Sequence, residues 1–307
     1  MRTAFINTMN KLARRDKNIF LLTGDLGFSV LESFRKEFPG RFFNIGVAEA
    51  NMVGISAGLA LSGKTVFIYS IVPFVTARCF EQIRDDLCYQ KLNVRIIGVG
   101  SGLSYGTAGM THQSLEDLAI MRAIPNMTVI SPGDPQETEA AILASAKHKG
   151  PIYIRMGKGK DPQVHHRLKS FSIGKGVTIK LGKDLAIFAC GNMLASAKVV
   201  ADNLKKRGIS AGLVSMHTIK PIDKAAVLRA AATAKLVVAI EEHSIIGGLG
   251  SAIAEVLAEE GSGARLLRIG IADSWPKEVG SQDYLRKKLG LDTEAIERKI
   301  LQKYRGR

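Results

Sequence analysis

Apolar positions along the chain fall into short unbroken runs, separated by segments with helical spacing. NIFLLTG (18–24), RFFNIG (41–46), TVFIYS (65–70), NVRIIGVG (93–100), NMTVISPGD (126–134) and PIYIRMG (151–157) read as strands. FEQIRDDLCYQKL (80–92), LEDLAIMRAI (115–124) and DPQETEAAILASAKHKG (134–150) lie between them and read as helices. Asp134 is an N-cap for the last, with Pro135 at its first helical position. Strands that are apolar almost throughout, alternating with helices, predict a parallel sheet covered on both faces. From about 158 to 183 the rhythm breaks: KGKDPQVHHRLKSFSIGKGVTIKLGK is rich in Lys, Gly and His, and predicts a linker with one hairpin. A second unit follows, with strands over 184–191, 211–219, 236–243 and 265–271 and helices over 195–208 and 250–261. The expected fold class is α/β, two domains that are each a mostly parallel sheet flanked by helices. The expected boundaries are 1–160, a linker 161–183, and 184–307.

Composition narrows the function classes. The 307 residues hold 43 Lys+Arg against 28 Asp+Glu, a net charge of +15, with 46% hydrophobic residues. That apolar content supports folded cores rather than disorder. No run approaches the roughly 18–20 apolar residues of a spanning helix, and MRTAFINTMNKLARRD at the start lacks a signal-peptide pattern, so a soluble cytoplasmic protein is expected. Three cysteines without CxxC spacing predict free thiols, and no HxxxH or HExxH points to a zinc held by this chain. Most of the excess charge sits in the expected linker (Lys158, Lys160, Arg167, Lys169, Lys175, Lys180, Lys183) and in a tail expected to be solvated (Arg298, Lys299, Lys303, Arg305, Arg307). No helix carries a basic stripe, which argues against nucleic acid.

Three segments could carry chemistry. In NIGVAEANMVGISAGLALSGK (44–64) a helix of small residues, suited to close packing against a neighbour, begins beside Glu49. That carboxylate either satisfies first-turn N–H groups or is buried for proton work. GVGSGLSYGTAGMTHQSLEDLAIMRAIPN (98–126) opens a Gly-rich loop after a strand, and His112 within it is either an acid–base group or a helix cap. IEEHSIIGGLGSAIAEVL (240–257) has glycines before a helix but neither phosphate-loop form. It reads as a plain turn, with Glu241, Glu242 and His243 structural.

GDLGFS (24–29), the 44–64 segment, TAGMTHQSLEDLAIMRAIPN (107–126), HTIKPID (217–223) and EEHSIIGGLG (241–250) occur together in an order that resembles the C-terminal half of transketolase. The resemblance covers nearly the whole chain and is to the separate C-terminal subunit of a split transketolase, a pyrimidine-binding domain followed by the transketolase C-terminal domain. It implies thiamine diphosphate as cofactor and transfer of a two-carbon ketol unit between sugars. It assigns Glu49 to the glutamate that hydrogen-bonds N1′ of the aminopyrimidine, and His112 to the histidine that contacts the donor sugar. Asp25, Ile71 and Phe74 would line the cofactor; Arg155, Arg78, Ser29 and Arg2 would meet the substrate. The family's GDG motif and Asn-Asn pair, which hold the diphosphate and its Mg²⁺ or Ca²⁺, are missing here. An N-terminal, diphosphate-binding partner subunit is therefore expected, in a heterotetramer of two chains each. The net positive charge then suits an acidic partner and anionic sugars. Ala108, Met110 and Gly100 depart from the family's substrate loop, and Arg78 resembles an arginine of deoxyxylulose-phosphate synthase. Such a synthase, or the beta subunit of a 2-oxo-acid dehydrogenase, stands as an alternative, and a catalytically silent assembly partner as another.

Overall fold

A computed structural model describes residues 1–159 and 161–306, so Lys160 and Arg307 of the basic stretches lie outside the described residues. Twelve strands are described: β1 (Ile19–Thr23), β2 (Phe42–Asn44), β3 (Thr65–Ile71), β4 (Val94–Val99), β5 (Thr128–Ile130), β6 (Ile152–Met156), β7 (Val177–Lys180), β8 (Leu185–Ala189), β9 (Ala211–Ser215), β10 (Thr218–Lys220), β11 (Leu236–Ser244) and β12 (Leu266–Ile271). They form two sheets, ordered β10-β5-β6-β4-β3-β1-β2 and β12-β11-β8-β9-β7. All pairings are parallel except β10 with β5 and β7 with β9. The strands of the first sheet's centre are buried along their whole length, as their continuous apolar runs require.

Three expectations are revised. The run 211–219 is not one strand: the chain turns at Met216 and His217, so β9 stays in the second sheet while β10 crosses to edge the first. The basic stretch is not a free linker with its own hairpin. β7 edges the second sheet, and the Val164 and His165 N–H groups bond Asp134 Oδ2 at 3.0 and 2.8 Å, docking the strap on the first lobe. The basic tail is a helix, Thr293–Arg305, capped by Asp292 and seated by buried Ile296 and Ile300. Arg298, Lys303 and Arg305 stay exposed on it, while Lys299 Nζ donates to the Gly290 carbonyl at 2.9 Å.

Other elements follow the pattern. Asp134 accepts the Glu137 N–H to start helix Pro135–Lys147, and Ile83–Tyr89 is a π-helical stretch within the predicted 80–92 helix. An N-terminal helix, Arg2–Arg15, buries Phe5, Ile6 and Met9 against the first sheet. No helix among the described residues is long and apolar enough to cross a membrane.

The lobes are joined by buried polar contacts. Arg155 on β6 pairs with Asp117 through Nε–Oδ2 at 2.7 Å and Nη2–Oδ1 at 3.1 Å, and Nη2 also donates to the carbonyls of Ser114 and of Glu242 on β11. Burial opposes the guanidinium charge, but Asp117 outweighs it and holds the proton more firmly than usual. Glu242 accepts from Leu103 N–H across the boundary, and from Asn192, Gln282 and Arg286 on its own side.

Candidate active site

The carboxyl ends of β1 and β3 and the first turn of helix Glu49–Leu61 meet at one point. In an open parallel sheet this is where ligands bind. Glu49 is the first residue of that helix, and its carboxylate is 1% exposed. A first-turn acid is favoured by the helix dipole, yet a buried one requires partners. Ser70, at the end of β3, donates to Oε1 at 2.8 Å, and Arg78 Nη1 donates to Oε2 at 2.8 Å. A Cβ on Gly24, just after β1, would lie 3.2 Å from Oε1, close enough that the carboxylate would have to give by a few tenths of an ångström.

Phe74 forms the next wall. The Arg78 guanidinium lies over its ring, 4.3 Å from the centroid, and the His112 ring meets it edge-on at 5.1 Å. His112 also lies 6.0 Å from the Tyr105 ring, and its Nδ1 is 3.0 Å from Thr111 Oγ1. Lys158, just past the end of β6, sits over Tyr105 at 4.4 Å. Arg2 lies beside Gly159, with its charge acting on the Tyr69 and Tyr105 phenols. Burial is the main cause that raises both phenols, Arg2 opposing it.

The sequence-predicted residues divide accordingly. Glu49, Phe74, Arg78 and His112 form one cluster, and Ile71 adjoins it as the residue after Ser70. Asp25 is on its rim, exposed, in a left-handed conformation (φ 55°), and tied to Asn44 by two bonds of 2.9 Å. Arg2 joins the Tyr105 side. Ser29 is exposed and gives its N–H to Glu32; no described contact links it to the cluster. Arg155 lies apart from the cluster: it is sealed in the lobe boundary by Asp117 and two carbonyls, 1% exposed, and no described contact links it to Glu49, Phe74 or His112. Ser70 at the end of β3 and Lys158 just past β6 join the site without a sequence signal of their own, as does Tyr105 in the loop that follows β4.

The GGLG turn is filled by its own chain. Glu241 accepts the N–H groups of Leu249 and Gly250 at 2.7 and 2.8 Å, so a carboxylate occupies the anion position at that helix start. His243 Nε2 accepts the Leu118 N–H at 3.1 Å. These residues are structural.

Chemically, the cluster is a buried carboxylate with one oxygen fixed by Ser70 and the other directed along an aromatic face. That set suits a planar, N–H-bearing heterocycle stacked on Phe74, and the Arg78 guanidinium already takes that geometry. The residues present fit the aminopyrimidine end of thiamine diphosphate.

The chain matches the family described as transketolase, pyrimidine binding domain, over residues 1–163, and that described as transketolase, C-terminal domain, over 174–296. A Methanocaldococcus jannaschii protein, named as a transketolase C-terminal section, is 44% identical over 98% of this chain and 95% of its own length. A 6-deoxy-6-sulfo-D-fructose transketolase subunit of a Clostridium species is 39% identical over 97% of this chain and 92% of its own. Among solved structures, one described as a split gene transketolase, inactive beta4 tetramer, superposes with a TM-score of 0.91 at 39% identity, covering 98% of this chain and 97% of that one.

Proposed function

This chain belongs to the transketolase family, and from that premise we propose that it is the cofactor-activating subunit of a split ketol transferase. With a separate diphosphate-binding chain it would move a two-carbon unit from an anionic ketose to an aldose. The observation that carries this reading is the buried Glu49 carboxylate, oriented by Ser70 beside the face of Phe74.

Glu49 would bond N1′ of the aminopyrimidine and hold the proton there, while Phe74 and Ile71 set the plane of the ring. Bound in this way, thiamine diphosphate supplies the nucleophilic carbon that carries the two-carbon unit. The low-dielectric surroundings of Glu49 strengthen its bond to a cationic partner. His112, half-exposed against Phe74 and Tyr105, would bond the donor's hydroxyl or carbonyl. With Arg155 sealed, Lys158 and Arg2 beside Tyr105 are the cations suited to the sugar's terminal anion. The Clostridium relative is named for a sulfo-sugar, which supports a terminal anion as the substrate class.

We assign the diphosphate and its divalent metal, Mg²⁺ or Ca²⁺, to the partner, because this sequence lacks the GDG and Asn-Asn motifs. Helix Glu49–Leu61 leaves Gly54, Ile55, Gly58 and Leu61 exposed beside exposed Val47, next to the incomplete pocket. That face would receive the partner chain, in an assembly of two each. The solved split relative, described as an inactive tetramer of beta chains, accords with a need for the second chain.

The test is ketol transfer from xylulose 5-phosphate with thiamine diphosphate and Mg²⁺. No activity is expected from this chain alone, activity on mixing with the diphosphate-binding chain, and a loss of at least about 10²–10⁴-fold for Glu49→Gln. A mixture that decarboxylates pyruvate without ketol transfer would favour the dehydrogenase or synthase reading. An active mixture indifferent to Glu49→Gln would mark a silent assembly partner.

A further inference from the structure

Arg78 makes both of the contacts that the proposed function gives to the aminopyrimidine. Its Nη1 donates to Glu49 Oε2 at 2.8 Å, and its planar face lies 4.3 Å from the Phe74 centroid. Ser70 occupies the other carboxylate oxygen, so a ring N–H and the Arg78 N–H compete for one acceptor and one aromatic face. Both cannot be there at once.

The two partners of the ion pair are unequal. The Glu49 side chain is 1% exposed and fixed on a helix, whereas the Arg78 side chain is 45% exposed. Arg78 is on an irregular turn, residues 76–79, between the short helices Val72–Val75 and Phe80–Gln82. A guanidinium in that position can withdraw to water with little desolvation to overcome, but the carboxylate cannot follow it. A buried carboxylate without a cationic partner is costly, so a displaceable internal cation is a physical solution for a pocket that waits for its ligand.

We propose that Arg78 is a positioning residue that acts as an internal surrogate for the aminopyrimidine. In the cofactor-free protein it keeps Glu49 paired and aimed along Phe74. When the cofactor binds, Arg78 swings outward and leaves Glu49 to the ring. This rests on the assignment of Glu49 and Phe74 to the pyrimidine, and it adds a competition that assignment does not contain. Where the withdrawn state is about a tenth of the population, the apparent Kd is raised about tenfold.

The test measures cofactor binding by calorimetry on the complex of this chain with its diphosphate-binding partner, titrated with thiamine diphosphate at saturating Mg²⁺. Arg78→Ala is expected to bind about tenfold more tightly than wild type, and to gain more thermal stability on binding because its free form has lost the carboxylate's partner. Arg78→Lys keeps a charge near Glu49 and loses the planar stack, so it should fold normally and bind with intermediate affinity. In the Glu49→Gln background the Arg78→Ala gain should vanish. Affinity unchanged or weakened in Arg78→Ala and Arg78→Lys overturns the proposal. An analogue with carbon in place of N1′ separates the two readings: if wild type binds it as tightly as the cofactor, the pyrimidine assignment itself fails. Discrimination by wild type together with no gain in the Arg78 variants rejects the surrogate alone.

Discussion

Asp117→Asn should be among the most damaging isosteric changes in this chain, although it touches no proposed substrate. Asp117 begins helix Asp117–Ala123 and is 2% exposed. Its Oδ2 accepts from Arg155 Nε and from the Tyr153 hydroxyl, each at 2.7 Å, and its Oδ1 from Arg155 Nη2. The asparagine can keep one acceptor but leaves the Arg155 cation inside without a counter-charge. Breaking a buried pair from one side costs about 3–5 kcal/mol, a large part of the roughly 5–15 kcal/mol that holds a domain folded. At a urea dependence of about 2–3 kcal/mol/M, the midpoint should fall by about 1–2.5 M, read by far-UV circular dichroism. The double variant Asp117→Asn/Arg155→Met removes the stranded charge and should recover part of the loss, the two effects being non-additive. A single-variant cost under about 1 kcal/mol, or a double variant that sums the two single losses, would refute the claim that this pair is a closed structural joint.

Two of the buried histidines, His165 and His217, should affect the pH profile in opposite directions. For His165, burial works against protonation, but the Asp134 hydrogen bond and the Glu137 charge outweigh it and raise the pKa, Lys198 opposing them. Its contribution should be full below about pH 6.5 and lost as pH rises through the raised value; a wild-type advantage over His165→Gln that grows with pH contradicts this. Burial and the His165 charge push His217 down to about 4, Asp223 opposing them. The chain should therefore lose stability as pH falls from about 6.5 toward 4, and His217→Gln should flatten that limb in urea titrations. Burial lifts the Cys79 and Cys88 thiols to about 12 and pushes Cys190 up as well. A disulfide reagent at pH 8 should label none of them in the folded chain and all of them in urea; rapid labelling of the native protein would show that these thiols are not enclosed.

The strands of the first lobe could be read closely from sequence because parallel, doubly covered strands are apolar along nearly their whole length, and β3, β4 and β6 are of that kind, with Arg95 and Arg155 their only charged residues. What could not be read was where a strand belongs. In AGLVSMHTI every residue suits a strand, so nothing in the period marks the turn at Met216 and His217 that sends β10 into the other sheet. The strap had the same difficulty. Its polar, Gly-rich composition is that of a linker, but what fixes it is Asp134, which caps one helix with Oδ1 and holds two strap N–H groups with Oδ2. Composition reports what a segment could bury, whereas a hydrogen bond to a distant buried carboxylate leaves no local trace. The C-terminal helix was missed through charge: its basic residues are conspicuous, and two isoleucines at i, i+4 are enough to seat it.

The contrast between Arg155 and Lys158 shows where motif order ends and geometry must take over. The two cations are three residues apart in one stretch of chain, and pattern alone favoured the first as the anion contact. Yet Arg155 lies within β6, where neighbours on both sides leave no room for a ligand, and its guanidinium is satisfied by Asp117 and two carbonyls. Lys158 comes two residues after the last strand position, over Tyr105 and on the side of His112. The rule that ligands gather beyond the carboxyl ends of parallel strands selects Lys158 over Arg155. The same rule selects Ser70 at the end of β3 and Gly24 after β1, the two neighbours that fix Glu49. A charged residue in such a sheet is thus better judged by its distance past the strand end than by its type: inside the strand it must be paired to be tolerated, and only beyond it does it have a face left to offer.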